Sequence, residues 1–72
     1  MFILQEIQAQ DDGIHAAFLP PETRETRSEI ESVFYQKCAF ACVSDIPIHT
    51  IMVYTEEGFV VSDLTRCFKH FE

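Results

Sequence analysis

The first third of the chain has the hydrophobic pattern of a β-hairpin. Phe2–Ala9 is rich in strand formers, and residues 14–19 alternate, with Ile14, Ala16 and Phe18 on one side. The Asp12-Gly13 pair between them suits a tight primed turn, because Gly adopts a positive φ without penalty. Pro20-Pro21 is expected to end the second strand, since proline cannot donate to a sheet ladder.

A polar stretch follows, and then apolar residues recur at helical spacing over residues 28–42. Ser28 with Glu31, or Thr26 with Glu29, can form a capping box at the start of this helix. Lys37 lies inside the apolar stripe and residues 33–35 favour a strand locally, so a strand is the alternative. The stripe consists of Ile30, Val33, Phe34, Cys38 and Ala41.

The second half of the chain predicts another hairpin and a short final helix. Residues 48–55 form a nearly continuous apolar run typical of a central strand, after the break at residues 45–47. Glu56-Glu57-Gly58 suits a three-residue loop, and residues 59–61 return as a strand. Ser62-Asp63 can cap a last helix with one apolar face. That face is formed by Leu64, Cys67, Phe68 and Phe71.

These elements predict a single α+β domain over residues 1–72. Their order is ββαββα, which gives a four-stranded, largely antiparallel sheet with two helices on it. Many functions occur on small domains of this kind, so the architecture does not supply an activity.

Composition adds the expectation of an exposed apolar surface. The chain has 72 residues, of which 47% are hydrophobic, including seven Phe. A domain of this size removes only roughly 60% of its unfolded surface from water. We therefore expect some apolar groups to remain exposed and to be covered by a protein partner or by a second copy in a homodimer.

The charge of the chain narrows the class of partner. Twelve acidic residues against five basic ones give a net charge of -7. Phosphate groups and anionic membranes attract clustered Lys and Arg, so we expect no direct nucleic acid and no membrane partner. A protein with a basic surface is favoured instead, with the alternative that the charge only maintains solubility.

The cysteines and the start of the sequence predict a cytoplasmic location. Three Cys are an odd number, and the first residues lack the basic and apolar regions of a secretory signal. No apolar run approaches the roughly 18 residues of a membrane span.

The sharpest candidate for chemistry is a zinc site formed by Cys38-x3-Cys42 and Cys67-x2-His70. Two such pairs on facing helices would supply four ligands. The preferred interpretation is that Cys38 and Cys67 are small core residues, because Cys is often buried and no Gly-containing Cys-x2-Cys turn is present. We therefore predict no metal site, and a metal-stabilised domain is the alternative.

Catalysis is not expected from this sequence. Three Cys and three His, among them His15 and His49 in predicted strands, allow a Cys/His pair, so an enzyme subunit is a further alternative. However, no nucleophile elbow surrounds any candidate, and the two Gly form no phosphate-binding loop. We predict no catalytic residues and no cofactor.

The remaining candidate site is a set of acidic residues at the two hairpin tips and on the first helix. Such a surface can compete for a basic groove, a strategy common among small inhibitors encoded by phages and plasmids. The sequence therefore predicts a protein-binding regulator or inhibitor, with the alternative that these acids are ordinary solvated positions. The predicted partner-binding residues are Asp11, Asp12, Glu25, Glu29, Glu31, Glu56 and Glu57.

Overall fold

The computed structural model describes residues 1–10 and 15–67, and they form a small α+β domain. The predicted fold class is confirmed, but these residues hold five strands and one helix instead of four strands and two helices. The elements in chain order are β1 (Phe2–Ala9), β2 (Ala16–Phe18), β3 (Glu22–Arg24), α1 (Arg27–Val43), β4 (Ile48–Thr55) and β5 (Val60–Cys67).

All strand pairs in the sheet are antiparallel. β1 and β4 lie at its centre and pair along their whole length, from Phe2 opposite Thr55 to Ala9 opposite Ile48. β5 lies on the other side of β4, which confirms that β4 is a central strand. The loop before β5 contains Gly58 at a φ of 93°, the left-handed conformation expected for this turn.

The unpredicted strand β3 continues β2 along the outer edge of β1. Phe18 lies opposite Ile7 and Glu22 lies opposite Leu4, so three residues of the outer strand face two residues of β1. This bulge contains Pro20 and Pro21, which cannot donate to the ladder. The prolines end β2 as predicted, but the chain resumes pairing after them. The turn predicted at Asp12-Gly13 lies outside the described residues.

The helix predicted over residues 28–42 is present, and the strand alternative is wrong. Thr26 is the N-cap: its hydroxyl accepts a bond from the Glu29 backbone N–H at 3.3 Å. The same hydroxyl donates to the Glu29 carboxylate at 2.7 Å. Of the two capping pairs considered, the structure therefore has Thr26 with Glu29. Tertiary packing of the stripe overrides the local strand preference of residues 33–35.

The final helix is the main error of the sequence prediction. Ser62 and Asp63, expected to cap it, lie within β5, as do Leu64 and Cys67. Phe68 and Phe71 lie outside the described residues. Leu64 lies opposite Ile51 in the β4 ladder, because pairing with a buried central strand outweighs a short helical pattern.

One face of the sheet is covered by α1, and the core lies between them. Ile30, Phe34 and Ala41 of the predicted stripe are buried against the sheet. Val33 and Cys38 are partly buried around this cluster. The sheet contributes Leu4, Ile51 and Val53.

Candidate protein-binding surface

The registers assign every described strand residue to one of two faces. Residues directly opposite one another in an antiparallel pair lie on the same face. Leu4 and Val53, which are opposite, lie beneath α1, so their neighbours Ile3 and Tyr54 lie on the other face. We call this second surface the open face, because the one helix in the described residues lies on the other side. It consists of Ile3, Gln5, Ile7, Ala9, Ala16, Phe18, Thr23, Ile48, Thr50, Met52, Tyr54, Val60, Asp63 and Thr65.

The open face is apolar and accessible to solvent. Phe18 at one side and Val60 at the other are 72% and 57% exposed. The apolar residues between them on the central strands are only partly buried, in contrast to the core beneath α1. Exposed apolar groups gathered on one surface of a soluble domain indicate an interaction site.

Charged groups are nearly absent from the open face. Asp63 is its one charged member, and Gln5, Thr23, Thr50 and Thr65 supply neutral polar groups. The Thr50 and Thr65 hydroxyls lie 3.2 Å apart, and the Gln5 side chain donates to the Leu19 carbonyl at 2.8 Å. Some of these polar groups are therefore already bonded within the fold, which lowers the cost of covering them.

Three of the predicted acidic residues gather at one end of the sheet. Glu56 forms an ion pair with the Met1 amine at 2.8 Å, and this contact raises the pKa of the amine above its ordinary value. Glu25 and Glu57 act on the amine in the same direction by their charge. We call Glu25, Glu56 and Glu57 the acidic end. A bond from its own backbone N–H and one from the Thr55 hydroxyl lower the pKa of Glu57, so this carboxyl stays ionised.

The other predicted acidic residues have different surroundings. Glu29 is exposed, and its carboxylate accepts from the hydroxyl of the N-cap residue Thr26. Glu31 pairs with Arg27 one helical turn away at 2.9 Å. Asp11 and Asp12 lie outside the described residues. Of the seven predicted acids, three therefore gather at one end of the sheet, and two serve the helix.

The sequence did not predict a cluster of charged groups beneath α1. Glu6 and His49 are only 3% and 1% exposed, and their Oε2 and Nε2 atoms lie 2.5 Å apart. The Lys37 ammonium reaches the other Glu6 oxygen at 3.2 Å and lies 3.9 Å from Glu22. We call Glu6, Glu22, Lys37 and His49 the buried polar cluster. A carboxylate oxygen accepts, so the Nε2 nitrogen of His49 is the donor to Glu6.

The arrangement of the buried polar cluster suits a structural role. His49 also packs edge-on against Phe40, with ring centroids 6.1 Å apart, and its Nδ1 atom has no hydrogen-bond partner among the described residues. A catalytic acid or base must reach its substrate, whereas Glu6 and His49 are enclosed between sheet and helix. The four residues come from four different elements, β1, β3, α1 and β4, so their contacts connect these elements to one another.

Weak signals of this cluster exist in the sequence. Lys37 lies inside the apolar stripe, and its ammonium reaches Glu6 because that stripe faces the sheet. Glu6 is in phase with Leu4 along β1, and His49 is in phase with Ile51 along β4. Polar residues in phase with core positions are the pattern to search for, but only the pairing of β1 with β4 brings Glu6 and His49 together.

The candidate zinc ligands are only partly described. Cys38 is half-buried on the side of α1 that faces the sheet, and Cys42 is exposed. Both are free thiols, and burial raises the pKa of Cys38 above its ordinary value. Among residues 1–10 and 15–67, no group of three or more His, Cys, Asp or Glu side chains has a metal-binding arrangement. His70 lies outside the described residues.

Neither the sequence nor the structure has a detectable relative among known proteins. Within the part of the chain that the structure describes, no helix has the length and apolar character needed to cross a membrane. No family model matches the sequence, and neither the curated proteins nor the solved structures include a detectable match.

Proposed function

We propose that this protein is a non-catalytic, protein-binding regulator or inhibitor. Its binding surface is the open face, and its partner presents an apolar patch bordered by Lys or Arg. The exposed apolar character of the open face is the observation that carries this proposal. Occupation of the partner's surface, without any reaction, is the mode of action.

The size of the open face suits a weak or transient interaction. Eight residues of extended strand span about 26 Å, and four strand positions span about 19 Å, so the face measures about 500 Å². Covering it together with an equal area of a partner buries about 1,000 Å², which is the threshold for a biological interface and typical of weak or transient complexes. Contacts at the acidic end would add to this area.

The charge distribution supports a partner with a basic border. The one charged residue on the open face is acidic, and Glu56 and Glu57 lie at its end. Two basic side chains of the domain, Lys37 and Arg27, are paired with acids of their own fold. Basic groups on the partner would be attracted to this negative charge, so the two proteins would associate faster at low salt.

A cytoplasmic location and an origin in a phage or plasmid belong to the same proposal. The free thiols Cys38 and Cys42 are consistent with a reducing compartment. A small acidic inhibitor of a basic protein needs little coding sequence, which suits such genetic elements.

Matched lysine substitutions test the open face. Met52→Lys places a charge at the centre of the face, whereas Gln36→Lys makes the same charge change on the exposed side of α1. Proteins captured from a lysate of the native host are quantified by mass spectrometry for each variant. We expect a partner retained by the wild type and by Gln36→Lys to be lost with Met52→Lys. Equal retention by both variants contradicts the proposal.

A second matched pair tests the acidic end. Glu56→Lys and Asp45→Lys change the charge equally, but Asp45 follows the C-terminus of α1 at the opposite end of the fold. We expect only Glu56→Lys to weaken capture of that partner and to flatten its dependence on salt. An effect of equal size from Asp45→Lys would assign the attraction to net charge alone.

A further inference from the structure

The two edges of the sheet differ in how well they resist further strand pairing. The edge formed by β2 and β3 has two strands of three residues, interrupted by a bulge that contains Pro20 and Pro21. β5 has eight residues and no proline, its one bulge is near its start at Val61, and among the described residues it pairs only with β4, without interruption over residues 62–67. Short strands, bulges and prolines protect an edge, whereas a long unprotected edge is a template for another strand.

The core is also incompletely closed at the β5 edge. Val61 and Leu64 pack against the buried cluster but remain partly exposed. Ile51, directly opposite Leu64 in the ladder, is fully buried. Added apolar surface beside Leu64 would complete the burial of this side of the core.

We propose that a second copy of this chain pairs with β5 in antiparallel fashion and forms a two-fold symmetric dimer with one continuous sheet. The two-fold axis is perpendicular to the sheet and passes beside Leu64. Both α1 helices then lie on one side of the sheet, and both open faces lie on the other. The dimer leaves the open face accessible apart from Asp63 and Thr65 at its β5 edge, and it does not depend on the proposed function.

Symmetry and side-chain chemistry select the register. A two-fold axis perpendicular to the sheet places the covered faces of both copies on one side and their open faces on the other. Because opposite residues lie on the same face, the axis must pass beside one residue of β5, which then lies opposite the same residue of the other copy. Two registers pair seven of the eight residues: one centred on Asp63 pairs residues 60–66, and one centred on Leu64 pairs residues 61–67. Centring on Asp63 opposes two carboxylates and places the bulge at Val61 within the ladder. Centring on Leu64 opposes the two partly exposed Leu64 side chains and leaves Val61 at the end.

The same register accommodates the net charge. Asp63 of each copy lies opposite Thr65 of the other, whose hydroxyl can donate to the carboxylate. Glu57 precedes the start of β5, which is four residues or about 13 Å from Leu64, so the two copies of Glu57, one in each acidic end, lie about 26 Å or more apart. The Debye length is about 8 Å at physiological salt, so repulsion between these ends is screened.

The dimer would present two open faces side by side on one surface. A partner with two sites, or two partners held together, would then bind with a gain from effective concentration. Self-association at the β5 edge is therefore a means to bivalent binding.

Sedimentation of the full chain over a concentration series, with two Thr65 variants, tests the dimer. Thr65 is exposed, so its replacement should not unfold the domain. Thr65→Glu places a carboxylate opposite Asp63 of the other copy, so each dimer contains two pairs of like charges. We expect this repulsion to raise the dissociation constant of the dimer about tenfold. Thr65→Lys makes the opposite charge pair and should lower it. A wild-type chain that sediments as a monomer at all concentrations, or equal effects of the two variants, would overturn the proposal.

Disulfide trapping tests the register. Two proteins are prepared in a Cys38→Ser, Cys42→Ser, Cys67→Ser background, one with Asp63→Cys and the other with Thr65→Cys. In the Leu64-centred register these positions are opposite only between different chains, so the mixture should form disulfide-linked heterodimers while each protein alone forms few. A Thr23→Cys protein, on the other edge, is the control and should not cross-link. Self-linking of the Asp63→Cys protein alone would reject this register.

Discussion

The two faces of the sheet carry an unusual division of charged and apolar groups. The face beneath α1 encloses a carboxylate, a histidine and the end of a lysine side chain. The open face, which no helix of the described residues covers, exposes Phe18 and Val60 and has partly buried apolar residues between them. Most small domains place charge outside and apolar groups inside, so each face here needs its own explanation.

The difference between the faces separates stability from binding. On the covered face, the charged groups are neutralised by one another and connect four elements, so their loss should unfold the domain. On the open face, apolar groups contribute little to the isolated fold but much to an interface. Substitutions on the first face should therefore change the free energy of unfolding, and substitutions on the second should change partner binding.

Removal of the Glu6 carboxylate should have the largest effect on stability. Glu6→Ala leaves His49 and Lys37 without their common acceptor inside the fold, which should cost about 3–5 kcal/mol in the free energy of unfolding. Urea denaturation followed by circular dichroism measures this loss. Glu6→Gln, which keeps an acceptor and removes the charge, should cost less and keep the domain folded.

The control for Glu6 is Gln8→Ala on the same strand and the same face. Gln8 lies opposite His49 but is only partly buried, so its truncation should cost less than about 1 kcal/mol. If Glu6→Ala costs no more than Gln8→Ala, the cluster does not hold the covered face together, and the comparison of the two faces fails.

Truncation of adjacent residues on β4 compares the two faces directly. Ile51 is fully buried in the core beneath α1, and Met52, the next residue, is on the open face. Ile51→Ala should lower the free energy of unfolding by about 2–4 kcal/mol through lost burial and a cavity. Met52→Ala should lower it by about 1 kcal/mol or less. Similar losses in the two variants would mean that the open face is covered in the folded protein.

Local signals predicted much of the fold. The strand formers of β1, the apolar run of β4, Gly58 in its turn and the capping residues Thr26 and Glu29 each act over a few neighbouring residues. Physical rules of this range can be applied to a single sequence. The helical stripe was predicted for the same reason, although the residues around Phe34 favour a strand.

Features that depend on pairing between distant segments were missed. Ser62 and Asp63 have the composition of a helix cap, and only the ladder with β4 places them in a strand. The open face likewise follows from the registers of β1, β4 and β5, so the sequence predicted exposed apolar groups without locating them. The acidic residues were predicted together as one surface, but which of them gather, namely Glu25, Glu56 and Glu57, depends on where β1 and β4 meet.

The two cysteines of α1 compare the side of the helix that faces the sheet with its exposed side. The expected difference, in thiol reactivity, is the smallest of those predicted. Cys38 faces the sheet and is half-buried, and burial raises its pKa, whereas Cys42 is exposed one turn later. The thiolate is the reactive form, so at pH 8 we expect iodoacetamide to modify Cys42 at least about threefold faster than Cys38.

Two single-thiol proteins measure this difference by mass spectrometry. One carries Cys38→Ser and Cys67→Ser, and the other carries Cys42→Ser and Cys67→Ser. A raised pKa keeps Cys38 protonated and unreactive at lower pH. The ratio of the Cys42 rate to the Cys38 rate should therefore fall as the pH rises into the range where Cys38 ionises. A ratio that stays constant with pH would assign the difference to access alone, and equal rates at pH 8 would mean that the side of α1 facing the sheet is open to the reagent.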